Sequence, residues 1–259
     1  MTETTWLWTG CLAMALGSVA LFVVGKRRTQ DEEGHTLIHV FVTMIASLSY
    51  LAQATRQGST ILPGGREFLY ARYLDWSVTT PLLLLGLAMT ALHGAHRRPG
   101  LVAALLGADV LMILTGLFYG ASEATGPKYI WFVVSCGAFL AVYATLFGPL
   151  LREARARDDV RRSAYLRSAV VLAVLWLVYP VVDLLGNNGI QAVGALVTTA
   201  VLTVTDLLAK VAYGFLSTHG TSRVAEHDLA VGAIEPAPVS SEAVPSSADP
   251  RRRPGTPRP

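Results

Sequence analysis

Seven stretches of the chain, approximately 6–25, 37–56, 69–92, 100–120, 129–151, 164–186 and 190–217, gather apolar residues into long blocks instead of alternating them at the period of a strand or of a surface helix. Each is close to or longer than the roughly 20 residues an α-helix needs to cross about 30 Å of hydrocarbon. Composition agrees, with 52% hydrophobic and 15% charged residues, the balance of an integral membrane protein. The expectation is an all-α bundle of seven transmembrane helices over residues 1–218. Only "MTETT" precedes the first block, with no basic n-region, so that block reads as a retained helix and not a cleaved leader.

Basic residues orient the bundle. Lys26, Arg27 and Arg28, then Arg97 and Arg98, then six arginines between 152 and 167 fall on one side, whereas the opposite loops hold Arg56, Arg66 and Lys128. By the positive-inside rule the N-terminus is extracellular and the C-terminus cytoplasmic. The formal charge of +3 is therefore a topology signal, and the "RRRP" at 251–254 is read as solvated, with no nucleic-acid partner. From 219 to 259 the chain turns to Pro, Ser, Ala and Glu, too poor in large apolar groups for a core, so a disordered cytoplasmic tail is expected. Cys11 and Cys136 lie within apolar spans and suggest neither a disulfide nor a metal.

Charges inside such spans are costly and point to function. In "LTVTDLLAKVAYGFL", Asp206 and Lys210 stand at i and i+4 on one helix face, about 6 Å apart along the axis. A desolvated lysine is a nucleophilic amine suited to forming an imine, and a cationic imine needs anions beside it. Asp206 is one; Asp75, in "ARYLDWSVTTPLLLLG", is the second, with Arg72 one turn away to hold both acids ionised.

With these residues assembled, the chain resembles the microbial rhodopsins over roughly residues 5–218. "RYLDWSVTTPLLLL" is similar to the third-helix motif of the bacteriorhodopsin-like pumps and "DLLAKVAYG" to their retinal-lysine helix. "WLVYPVVD" resembles the sixth-helix pocket motif, placing Trp176, Tyr179 and Pro180. "GADVLMILTG" resembles helix four, with Asp109, Met112 and Gly116, and "WFVVSCGAF" helix five, with Trp131, Ser135 and Phe139.

The resemblance implies all-trans retinal on Lys210 as a protonated Schiff base, held among those residues with Trp76 and Thr80. Asp75 is then counterion and proton acceptor, Asp206 the second counterion, and Thr79 a hydrogen-bond partner for the Asp75 carboxylate. The implied function is a light-driven outward proton pump, not an enzyme, working in the inner (plasma) membrane of a bacterium. A homo-oligomer, trimer or pentamer, is expected; no metal is, and the chain contains no recognisable transducer. The alternative is a sensory photoreceptor acting through a separate partner protein.

Several positions depart from the common pump pattern. Eleven residues past Asp75, where many relatives carry a donor acid, stands Gly86, giving the Asp-Thr-Gly triplet of a bacterial branch of outward pumps. His39 precedes Tyr50 by the same eleven residues on the antiparallel second helix, which predicts that His39 comes level with Gly86 and relays the cytoplasmic proton. His35, one turn away, is expected at the interface. Asn188 and Thr198 occupy the places of a glutamate pair that serves prompt proton release in one relative. Asp183 is either an exit-side acid or a structural carboxyl, and Phe132 fills a place that carotenoid-binding relatives leave small.

Overall fold

The computed structural model describes residues 2–25, 29–92 and 98–232. Among them, seven helices are long and apolar enough to cross a membrane. They are α1 (Glu3–Val24), α2 (Gln30–Ala54), α3 (Tyr70–Leu92), α4 (Pro99–Ala121), α5 (Thr125–Arg155), α6 (Asp159–Leu185) and α7 (Ala195–Ala230). Between α2 and α3 lies one antiparallel hairpin, β1 (Thr60–Ile61) and β2 (Glu67–Phe68), paired Thr60 with Phe68 and Ile61 with Glu67.

The helix starts follow from side chains that satisfy otherwise unpaired N–H groups. Thr2 Oγ1 accepts from Thr5 N at 3.2 Å, Thr29 Oγ1 from Glu32 N at 3.2 Å, and Asp158 Oδ1 from Arg161 N at 2.7 Å. Prolines explain the irregular turns. Pro149 has no N–H for the i−4 carbonyl, and α5 widens into a π turn over Leu146–Leu150. The Leu146 carbonyl there takes Tyr165 OH at 2.7 Å. Pro180 withholds the N–H that the Trp176 carbonyl would use, and α6 breaks at Leu177. A second π turn, Leu207–Ala212, holds Lys210 in α7.

Neighbouring helices pack in chain order, and α7 closes the ring against α1, α2 and α6. Helix α3 runs through the middle and is the most buried of the seven, α5 the least. The main core joins α3 to α7, and a smaller cluster of Leu7, Cys11, Met14, Ala46 and Tyr50 joins α1 to α2. Leu12, Leu16, Val19 and Val23 of α1 are exposed, an apolar face suited to lipid.

Two details differ from the sequence expectation. The hairpin is too short to register as a strand pattern; Pro63-Gly64-Gly65 turns it, with Gly65 at φ +82°, and it buries only Phe68. Helix α7 runs to Ala230, past the boundary expected at 218, because Val224 and Ala225 are buried and Asp228 binds Arg161 of α6. The rest of the expected tail, 233–259, lies outside the described residues, as do Lys26, Arg27, Arg28 and Arg97.

Candidate functional site

Lys210, only 2% exposed, sits at the middle of the bundle, its Nζ donating to Asp75 Oδ2 of α3 and lying 3.7 Å from Asp206 Oδ1 of its own helix. Asp206 is anchored by two phenols: Tyr50 OH donates to Oδ2 and Tyr179 OH to Oδ1, each at 2.7 Å. Asp75 Oδ1 has no protein partner. The two acids therefore differ: Asp206 accepts a phenol on each oxygen, whereas Asp75 faces Lys210 through Oδ2.

Thr79 Oγ1 lies beside the Asp75 carboxylate and also reaches the Asp75 main-chain carbonyl at 2.9 Å, the usual outlet for a helical threonine. Arg72 departs from expectation. Arg72 pairs with neither Asp75 nor Asp206; its Nη2 donates to Gln53 Oε1 at 3.4 Å. It is nonetheless buried, and its charge reaches Tyr50, Tyr73 and Asp183.

A cavity opens from Lys210 between α3, α4, α5 and α6. Trp76, Thr80, Met112, Gly116, Ser135, Phe139, Trp176, Tyr179 and Pro180, named above from the sequence, line it. Two expected residues do not. Asp109 stands behind the wall, where its Oδ2 accepts from Thr80 Oγ1 at 2.8 Å. Trp131 turns away to pack on Phe118 at 5.0 Å, and Phe132 takes the wall instead.

The reason is helical geometry. Phe132, Ser135, Cys136 and Phe139 fall at i, i+3, i+4 and i+7, one face of α5, and Trp131 is about 100° off it. The same spacing, Trp176, Tyr179, Pro180, Asp183, brings Asp183 into the wall, a signal the sequence carried. Tyr73 and Tyr119, also in the wall, were not anticipated.

On the side of Lys210 away from the hairpin, a buried polar string follows α2. It is His35, not His39, that stands against Gly86: a Cβ built on Gly86 meets His35 Nε2 at 3.5 Å. His35 is 1% exposed, far from an interfacial position, with Nε2 3.5 Å from Thr90 Oγ1 and 3.4 Å from Ser217 Oγ. His39 lies 5.0 Å from the His35 ring and edge-on to Tyr213 of α7 at 5.6 Å, neither ring nitrogen having a protein partner. Matching offsets gave the right depth to within a turn, but not the facing. At the hairpin end, Asn188 binds Asp183 and Arg66, whereas the Thr198 hydroxyl has no partner.

The cavity suits an elongated apolar ligand with one reactive end. Its walls are mostly aromatic and aliphatic, as in small-molecule pockets generally, and it ends on a lysine flanked by two carboxylates. Those are the requirements for holding retinal covalently and balancing a cationic nitrogen.

Comparison with known proteins gives the same picture. The family described as bacteriorhodopsin-like protein matches residues 1–224. The chain is 39% identical over 221 residues to bacteriorhodopsin of Haloterrigena sp. (strain arg-4), covering 83% of this chain and 86% of that one. It is 36% identical over 219 residues to archaerhodopsin-2 of Halobacterium sp. (strain aus-2), covering 83% of each. Among solved structures, the thermophilic rhodopsin of Rubrobacter xylanophilus superposes with a TM-score of 0.83 at 39% identity, covering 86% of this chain and 98% of that one. The light-driven proton pump rhodopsin of Coccomyxa subellipsoidea gives 0.77 at 31% identity, with 84% and 96% covered.

Proposed function

The chain belongs to the bacteriorhodopsin-like family, and on that premise we propose that it is a light-driven pump that moves protons outward across the plasma membrane, with all-trans retinal carried on Lys210. The family is one of multi-pass membrane proteins with a retinal chromophore, and its members are light-driven ion pumps and photoreceptors, not enzymes. When bound, retinal supplies light absorption and an isomerisation that reorients the nitrogen to which it is attached.

The observation that supports pumping is the asymmetry of the two acids. The proton on Lys210 Nζ moves to Asp75 Oδ2, the oxygen it already faces. Asp206, with both oxygens bound by Tyr50 and Tyr179, stays a fixed anion. Trp76 and Tyr179, edge-on at 5.2 Å, orient the ligand and keep water from the reacting pair. On the other side, His35 and His39 take the place of the acid missing at Gly86 and return a proton toward Lys210, each imidazole offering a nitrogen that can take up and release a proton. Arg152 and Arg155 at the end of α5, with Arg157 just after it, support a cytoplasmic position for that side by the positive-inside rule. A relative described as a light-driven proton pump shares the fold at 31% identity.

The test is to illuminate intact cells containing the protein and record external pH with and without an uncoupler. Pumping acidifies the medium and the uncoupler abolishes the signal. One observation favours a photosensor as the second reading: Gly86 stands where an acid would return the proton, and a slow return step suits signalling. A pigment with no light-driven pH change would establish that reading.

A further inference from the structure

Asp183 lines the cavity, yet no step above uses it. Its hydrogen bonds have a fixed direction. Arg66, which can only donate, gives Nη1 to Asn188 Oδ1 at 2.7 Å. That fixes which way the Asn188 amide points, so its Nδ2 faces Asp183 Oδ1 at 2.9 Å and the Tyr73 oxygen at 3.2 Å. Tyr73 thus receives a hydrogen from Asn188 and directs its own to Asp183 Oδ2 at 3.0 Å. Both carboxylate oxygens are acceptors, the arrangement of an anion.

Burial works against its charge, while Arg72 of α3 and Lys128 of α5 favour it, and Tyr119 of α4 donates to its main-chain carbonyl at 3.2 Å. All these partners come from α3, α4, α5 and the two loops at the hairpin end, and none from α7. Asp183 therefore lies toward the end of the cavity remote from Lys210.

We propose that Asp183 is a wavelength-setting residue, a resident anion in the cavity wall held ionised by the chain Arg66, Asn188 and Tyr73. This deepens the reading above and rests on Lys210 carrying retinal. Light absorption by a cationic polyene shifts positive charge away from the lysine nitrogen. By Coulomb's law, an anion beside the nitrogen raises the transition energy and an anion at the far end lowers it. Asp183 thus shifts absorption to the red, against the blue-shifting pair Asp75 and Asp206, and Arg66 of the hairpin tunes colour from a distance by orienting one amide.

The variants are Asp183→Asn, which keeps the shape and both neighbours, Asp183→Glu, and Arg66→Gln. The readouts are the absorption maximum of each pigment and, without light or retinal, the infrared carboxylate bands of the protein with and without the Asp183→Asn change. Asp183→Asn should move absorption to the blue by at least several nanometres, Arg66→Gln in the same direction by less, and Asp183→Glu should restore most of the shift. The retinal-free protein should lose a carboxylate band at neutral pH in Asp183→Asn. An unchanged or red-shifted Asp183→Asn pigment, or loss of a protonated-carboxyl band instead, overturns the proposal. Absence of any pigment from the unmodified protein would instead defeat the retinal reading, while the retinal-free infrared measurement would still decide whether Asp183 is ionised.

Discussion

Lys210 Nζ hydrogen-bonds across the bundle to Asp75 of α3, while Asp206, one turn away on its own helix, stays at 3.7 Å. The nearer acid is thus the one on the other helix, and the two have unequal roles. Asp75→Asn should shift absorption to the red and stop transport, because the nitrogen loses its closest anion and the proton its acceptor. Flash spectroscopy and cell-suspension pH recordings check this, and unchanged colour with full transport would make Asp206 the acceptor.

Lys210→Ala should abolish visible colour, since among the described residues that line the cavity Lys210 is the one amine. Absorption after retinal addition, with hydroxylamine as a probe of the linkage, is the measurement. Hydroxylamine-sensitive colour in the variant would sink the assignment.

The pair of acids and the lysine were legible from sequence because charges in apolar helices have so few other uses. What the sequence did not disclose was facing. Offsets of eleven residues set His39 and Gly86 at similar depth, but rotation about α2 presents His35 to Gly86 and His39 to Tyr213. Trp131 failed for the same reason, one residue being about 100° of rotation. Arg72 failed because its guanidinium finds Gln53, a partner on another helix that no local spacing reveals. The hairpin escaped because two residues per strand make no periodic pattern.

His35→Ala and His39→Ala should each leave colour and the first proton transfer nearly intact while slowing proton return about tenfold or more, the common scale for losing an acid–base group. Azide should restore the rate. Decay of the deprotonated intermediate across external pH is the readout, and an unchanged decay in both variants would leave the histidines structural. Gly86→Ala makes a control, since the added Cβ meets only ordinary contacts at 3.5 Å and beyond.

Gly10 lies flat against Tyr50. A Cβ there would come within 2.6 Å of the ring, so Gly10→Ala should displace Tyr50 and loosen its bond to Asp206. The expected result is an altered absorption maximum without loss of pigment. A spectrum identical to the parent would show that α1 yields instead.

Arg161 joins three helices at the end away from the hairpin, with Nη2 on Asp228 Oδ2 at 2.6 Å and Nη1 on the Thr90 carbonyl at 3.3 Å. Arg161→Met takes the close cation from the buried Asp228 carboxylate, and breaking a buried pair destabilises by about 3–5 kcal/mol; thermal loss of pigment measures it. Nearby Asp158 caps α6. Burial pushes its carboxyl up, but the Arg161 N–H and then the charges of Arg161 and His227 outweigh this and hold it below its ordinary range. A lowered folded-state value gives stability that is present above the unfolded value and lost as pH falls through the folded one. The cap should therefore hold at neutral pH and weaken below about pH 4, a change that Asp158→Asn should remove from the thermal denaturation profile.

The π turn at Leu207–Ala212 places one residue more in the lysine-bearing segment than a regular helix would hold. The halves of α7 on either side are in consequence indexed separately, and a single deletion there would rotate the second half by about 100°. Asp206 would keep Tyr50 and Tyr179, while Tyr213, Ser217 and Asp228 would leave His39, His35 and Arg161 together. Lys210 thus stands at a splice between two screws of different phase, one cut to fit the counterion side and the other the proton-return side, so each could change its fit to neighbouring helices without disturbing the other's.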